Sequence, residues 1–238
     1  MKAYKIAAFA LNAAVYVAAG ILFYSVLPIS FGPVRFWPQA IVPAVFAVVF
    51  GPWVGGLGAA LGIFVNDLML NNNPVLSLLA GVTANFAAFW LIGYLARKKV
   101  RWVPSIVGYG VFTALLMAIA YLYTDLVYVL IVGISYLTFI VFALIIRKWF
   151  DPSLQGYEIG SVIGLLVGSA IIGLMVPVYF QYFSPDATPI TLGSGLAYFV
   201  WTFSTEIPFL LVLGPPIIAA VRKAFPSLNR EEEHEEHS

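Results

Sequence analysis

Outside the C-terminal end of this 238-residue chain only six acidic residues occur: Asp67, Asp125, Asp151, Glu158, Asp186 and Glu206. They are the groups that could carry acid–base or metal chemistry, and their spacing argues against most of it. Asp67 has no Asp or Glu within four residues, so it lacks the paired carboxylates that would hold magnesium diphosphate in a prenyl transfer. Both histidines, His234 and His237, sit among the last residues, which leaves no His relay or His–zinc site elsewhere, and no H-E-x-x-H occurs. Cysteine is absent, so there is no thiol nucleophile, iron–sulfur cluster or thiolate zinc site. No G-x-x-x-x-G-K-[ST] is present to cradle ATP phosphates. The expectation is a protein that is not an enzyme, with no catalytic residue, metal or cofactor.

The same polar residues read differently when their surroundings are apolar. An ionisable group at membrane depth is costly and is a functional candidate by default. Asp67, beside Asn66, is either a headgroup-level carboxylate or a binding group. Glu206 stands among Thr202, Ser204 and Thr205, two residues before Pro208, whose ring removes a helical hydrogen bond. Such a segment either lines a cavity or is satisfied by neighbouring helices. Asn85 reads as a helix–helix hydrogen bond. Asp125, flanked by Tyr121, Tyr123 and Tyr128, reads as part of an interfacial aromatic belt, with a pocket rim as the alternative. Arg35, within Phe31-Gly32-Pro33-Val34-Arg35-Phe36-Trp37-Pro38-Gln39, could receive an anionic or flat aromatic ligand, or a lipid headgroup phosphate.

The elements that must position these residues follow from composition. The chain is 62% hydrophobic and only 10% charged, and just 17 of its 23 charged residues lie in the first 229 positions. Soluble domains carry about 25% charged residues, so a water-soluble monomer, a disordered chain and a collagen are excluded. Eight apolar runs lie between Gly, Pro and Asn breaks: Tyr4 to Leu27, Pro38 to Phe50, Pro52 to Leu70, Val75 to Ala96, Val103 to Tyr123, Leu126 to Ile146, Ile159 to Tyr179 and Leu196 to Val221. A span needs about 20 residues; the second run is too short and reads as a recessed helix.

Eleven of the twelve cations fall in four clusters, Lys2/Lys5, Arg97 to Arg101, Arg147-Lys148 and Arg222 to Arg230, with Arg35 the exception. The positive-inside rule puts every cluster on the cytoplasmic side, which requires an even number of spans between them. Eight spans with both termini cytoplasmic satisfy this. The expected fold is therefore all-α, a polytopic helical bundle over 1–229 in the cell membrane, ending in an acidic cytoplasmic tail over 230–238. Its first run reads as a retained span, not a cleaved leader. The two tail histidines could share a metal, although short His tracts are weak signals. Ala10, Ala14 and Ala18 recur on one face of the first run, and Gly55, Gly58, Ala59 and Gly62 on the third, as small residues do where helices approach closely.

The stretch Gly32-Pro33-Val34-Arg35, then Pro43-Ala44-Val45-Phe46-Ala47, then Phe50-Gly51-Pro52-Trp53-Val54-Gly55-Gly56-Leu57-Gly58, ending at Asn66-Asp67, resembles the substrate-binding S components of energy-coupling-factor (ECF) transporters. Pro208-Phe209-Leu210-Leu211-Val212-Leu213-Gly214-Pro215-Pro216 before Arg222-Lys223 is also similar to that group. The family has six spans, so the resemblance implies a six-span core plus two helices within Val103 to Ile146. It implies binding of a vitamin or related micronutrient from outside, then toppling against a transmembrane coupling subunit driven by two ATPase subunits. Membrane lipid would be a further partner, and nucleic acid none. Arg35, Trp37, Gln39, Asn66 and Asp67 would gather at the outer mouth, with Gln181 and Glu206 as secondary contacts. The segment from Pro28 to Pro38 would act as a lid, and Ala10/Ala14/Ala18 as the docking face. Two other readings stand beside this one: a self-sufficient ion-coupled transporter using Asp67 and Glu206, and a membrane-embedded lipid or prenyl enzyme.

Overall fold

The computed structural model describes residues 3–70, 73–98, 102–123, 126–149, 154–184 and 192–225. Asp125, Asp151, Asp186 and the acidic tail lie outside them. Eight helices make up the described chain: α1 (Ala3–Val26), α2 (Ile41–Phe50), α3 (Pro52–Leu70), α4 (Pro74–Leu95), α5 (Trp102–Tyr123), α6 (Leu126–Trp149), α7 (Leu154–Phe183) and α8 (Leu192–Ala224). Each coincides with one of the eight apolar runs. Five of them, α1, α3, α4, α7 and α8, are long and apolar enough to cross a membrane.

The breaks have physical causes. Gly51 ends α2 at φ 107°, a backbone conformation that favours glycine, and Pro52 starts α3 where its missing amide costs nothing. Asn73 caps α4, its side chain accepting from the Leu76 amide at 3.0 Å, with Pro74 at the first helical position. Between α1 and α2 the chain forms a two-residue antiparallel hairpin, β1 (Ser30–Phe31) with β2 (Val34–Arg35), turning at Gly32 with φ 56°. The 3-10 turn Pro38–Ala40 leads into α2.

Helix α2 is short and central. It packs on α1, α3, α4 and α8, and Ala40, Ala44, Ala47 and Val48 are buried. Glycine permits the close approaches around it: a Cβ on Gly55 would collide with Ala47, and one on Gly93 would come within 2.7 Å of the Ala47 carbonyl. The α4–α7 contact depends on the same device. Gly156, Gly160, Gly164 and Gly168, every fourth residue of α7, lie on the α4 backbone; a Cβ on Gly164 would stand 2.5 Å from the Ala88 carbonyl oxygen. In lipid, where apolar helices gain little from burying one another, such contact is what holds a bundle together.

The α5–α6 pair sits at the side of this body, with α6 on α8 and, less extensively, on α7. Tyr109, Phe139 and Phe203 meet ring to ring at the join, while Val107, Leu115, Leu130, Ile134 and Leu137 are exposed. Successive helices alternate in direction. The hairpin, the start of α4, the end of α7 and the start of α8 lie together, as Asn73 meets Tyr179 and Phe31 meets Tyr198. Arg97 and Lys98 follow the far end of α4, and Arg222 and Lys223 lie in the last turn of α8.

Candidate functional site

Beneath the hairpin, a cavity of about 100 Å³ opens among α3, α4, α7 and α8. This is room for several waters or a small organic group. Its polar lining comprises Arg35, Trp37, Asp67, Asn73, Ser77, Asn85, Ser169, Thr202 and Glu206. A second cavity, about 310 Å³ between the α5–α6 pair and α7, is larger but lined by Tyr109, Phe112, Phe139, Val162 and similar groups with no charge among them. Chemistry favours the first.

Arg35 is 8% exposed. Its Nη1 donates to Asp67 Oδ1 at 3.3 Å, and Ser77 Oγ donates to Asp67 Oδ2 at 2.6 Å. The guanidinium carbon lies 5.2 Å from the Tyr24 ring centroid and 5.4 Å from that of Trp37. Burial lowers the Arg35 pKa from its ordinary value, and the Asp67 carboxylate opposes that effect; a guanidinium starts so high that it stays charged. The Nη2 atom is buried without a hydrogen-bond partner. A half-paired arginine in a cavity is a receptor for an acceptor group, because an unmet charged donor in a dry site is expensive.

A hydrogen-bond chain holds the adjoining wall in place. Trp37 Nε1 donates to Tyr16 Oη at 2.8 Å, Tyr16 Oη donates to Asn85 Oδ1 at 2.7 Å, and Asn85 Nδ2 donates to the Gly81 carbonyl at 2.9 Å. Tyr16 is fully buried and meets Trp37 and Phe89 edge to face. Gly81 belongs to a π-helical turn, Ser77–Val82, where wider hydrogen bonding displaces carbonyls from the α-helical ladder. The Asn85 amide meets one of them, and Thr83 Oγ1 meets Leu79 O and Ala80 O. The turn aims Ser77 at Asp67 and leaves Gly81 against the Asp67 carboxylate, where a Cβ would stand 2.8 Å from Oδ2. Tyr16→Phe would strand both Trp37 Nε1 and Asn85 Oδ1. The expected loss is about 1–3 kcal/mol for each buried group left unpaired, read as a lower thermal midpoint in detergent, with Tyr24→Phe as the comparison.

The hairpin is fixed by rings. Phe31 lies against Tyr198 and Trp201 at 5.5 and 5.9 Å, and Phe36 meets Phe209 at 5.6 Å. It brings Pro33, Val34 and Arg35 over the cavity.

Of the residues singled out in the sequence, the cavity gathers Arg35, Trp37, Asp67 and Glu206. Gln39 is fully buried beside it, with neither amide atom hydrogen-bonded, and does not line it. Asn66 turns the other way, donating to the Tyr16 carbonyl at 3.3 Å in the α1–α3 contact. Gln181 is exposed near the end of α7. Ala10, Ala14 and Ala18 are exposed on the outer face of α1, while Asn12, Ala13, Tyr16 and Gly20 face inward. Asn73, Ser77, Asn85 and Ser169 join the lining without having been marked as binding groups.

These features define a class: a helical protein with helices of membrane-spanning length enclosing a small polar cavity. No protein family, curated protein or solved structure matches the chain.

Proposed function

We propose that this chain is the substrate-binding subunit of a nutrient-uptake system in the cell membrane, threaded eight times with both termini cytoplasmic and the hairpin outside. Its ligand is a small molecule with an acidic group and a flat ring. The single observation that carries this reading is Arg35, buried over the cavity with Nη1 on Asp67 and Nη2 unmet. Trp37 and Phe89 supply apolar ring surface in the same cavity. The resemblance to ECF S components adds the remaining parts: a vitamin-like ligand, a transmembrane coupling subunit and two ATPase subunits supplying the energy that a chain without a phosphate-binding loop cannot. The six-helix body with α5–α6 at its side accommodates that reading.

Mass spectrometry of the protein extracted from membranes tests the ligand directly, and the expected result is a retained small acid. Titration calorimetry against a vitamin panel with no binder, together with no co-purifying coupling subunit or ATPase, overturns the proposal. Ala14→Trp, on the exposed face of α1, is expected to abolish assembly with the coupling subunit and leave ligand retention intact. Equal loss of both refutes the docking face.

Glu206 favours a second reading. No hydrogen bond or ion pair from the described residues reaches its carboxylate, as suits an ion-coupled carrier working alone. Proteoliposomes holding only this protein would then accumulate ligand under an imposed sodium or proton gradient; no uptake disposes of it.

A further inference from the structure

The α7–α8 wall of the cavity offers a carboxylate and two hydroxyls, with no cationic or N–H donor side chain among them. Glu206 is 8% exposed and lines the cavity, with no hydrogen bond or ion pair to its carboxylate among the described residues. Thr202 lies one helical turn before it, which puts the two side chains on the same face of α8. Its Oγ1 is buried without a partner, and so is Oγ of Ser169, a fully buried residue facing the same cavity from α7. The Arg35 ion pair at 3.3 Å is made with Asp67, not with Glu206.

A carboxylate in a dry interior is either protonated or matched by a compensating charge, and carboxylate and hydroxyl oxygens together can form the shell of a bound cation. We propose that Glu206, Thr202 and Ser169 form a receptor for a cationic group, either a bound monovalent metal ion or the ammonium group of the molecule in the cavity. This site deepens the reading of the cavity as a ligand-binding site. It stands on different residues from the anion receptor at Arg35, so the two can fail separately.

The test uses the full-length protein, purified in choline chloride at constant ionic strength, with the thermal midpoint as readout. Sodium chloride is titrated in one arm and methylammonium chloride in the other. A saturable rise with sodium that is lost or weakened at least tenfold in Glu206→Gln identifies a metal ion. The same pattern with methylammonium alone identifies an organic ammonium. Thr202→Val combined with Ser169→Ala retains the carboxylate and is expected to raise the half-saturating concentration several-fold, which covers the case in which Glu206→Gln fails to fold. Flat responses in both arms, or a response unchanged in both variants, overturn the proposal. Arg35→Met separates the two receptors: a cation response that survives there, with the small acid gone, is the expected outcome, and a cation response lost together with the acid in a folded protein overturns the separate cation site.

Discussion

Arg35→Met is expected to empty the cavity of its acidic ligand. Removing the guanidinium takes away the charge-assisted donor at Nη2 and leaves Asp67 with only Ser77. Truncating one member of a buried, hydrogen-bonded charge pair typically costs about 2–5 kcal/mol in binding, so affinity should fall on the order of 100-fold. Stability should fall as well, by about 3–5 kcal/mol, because a buried carboxylate has lost its counter-charge. A second substitution separates the two effects. Arg35→Met with Asp67→Leu replaces the pair by apolar groups, a change that is often neutral for stability. The double variant is expected to regain the thermal midpoint but not the ligand, with native mass spectrometry reporting occupancy. Wild-type occupancy in Arg35→Met would remove the foundation of the anion-receptor reading.

Gly164→Val should be the most damaging change away from the cavity. The first carbon of any side chain there would lie 2.5 Å from the Ala88 carbonyl oxygen and 2.7 Å from Ile92 Cγ1. The oxygen is backbone and cannot swing aside, so α4 and α7 must separate. Overpacking a well-filled contact costs about 1–3 kcal/mol, and a collision with backbone should exceed that range. Since α4 and α7 both wall the cavity, ligand retention should fall together with the thermal midpoint. Leu174→Val, on an exposed position of the same helix, serves as the control and should change neither. A Gly164→Val protein with wild-type stability would refute the glycine contact as the element that sets the α4–α7 spacing.

The helices were legible because apolar runs of this length satisfy their backbone most simply as helices, and Gly51-Pro52 and Asn73-Pro74 mark helix boundaries for local backbone reasons. The charged members of the site were legible for the same reason, since Arg35, Asp67 and Glu206 are exceptions in an apolar chain. What remained hidden was rotational phase. Asn66 and Asp67 are adjacent, yet about 100° of helical rotation sends one toward α1 and the other toward α4. The hydroxyls of Ser77 and Ser169 left no mark, and Thr202 stood out only as a neighbour of Glu206, because small polar residues are ordinary in spans and commonly bond to their own helix, as Thr205 does to Trp201. Asn85 does make an interhelical hydrogen bond, to Tyr16, but its place beside the π-helical turn could not be read from spacing alone. The four-residue glycine repeat of α7 was in plain view; Ala10/Ala14/Ala18 and the α3 glycines had the same kind of pattern, and only packing distinguishes a buried stripe from an exposed one.

The cavity draws its walls from opposite ends of the polypeptide: Trp37 and Arg35 come early in synthesis, and Thr202 and Glu206 almost last. During translation the growing chain therefore holds a buried-to-be arginine and carboxylate with nothing to close over them until α8 leaves the ribosome. A chain cut short before that helix would keep Arg35, Asp67 and Ser169 but lack the wall that Thr202 and Glu206 supply, leaving the cavity open on that side.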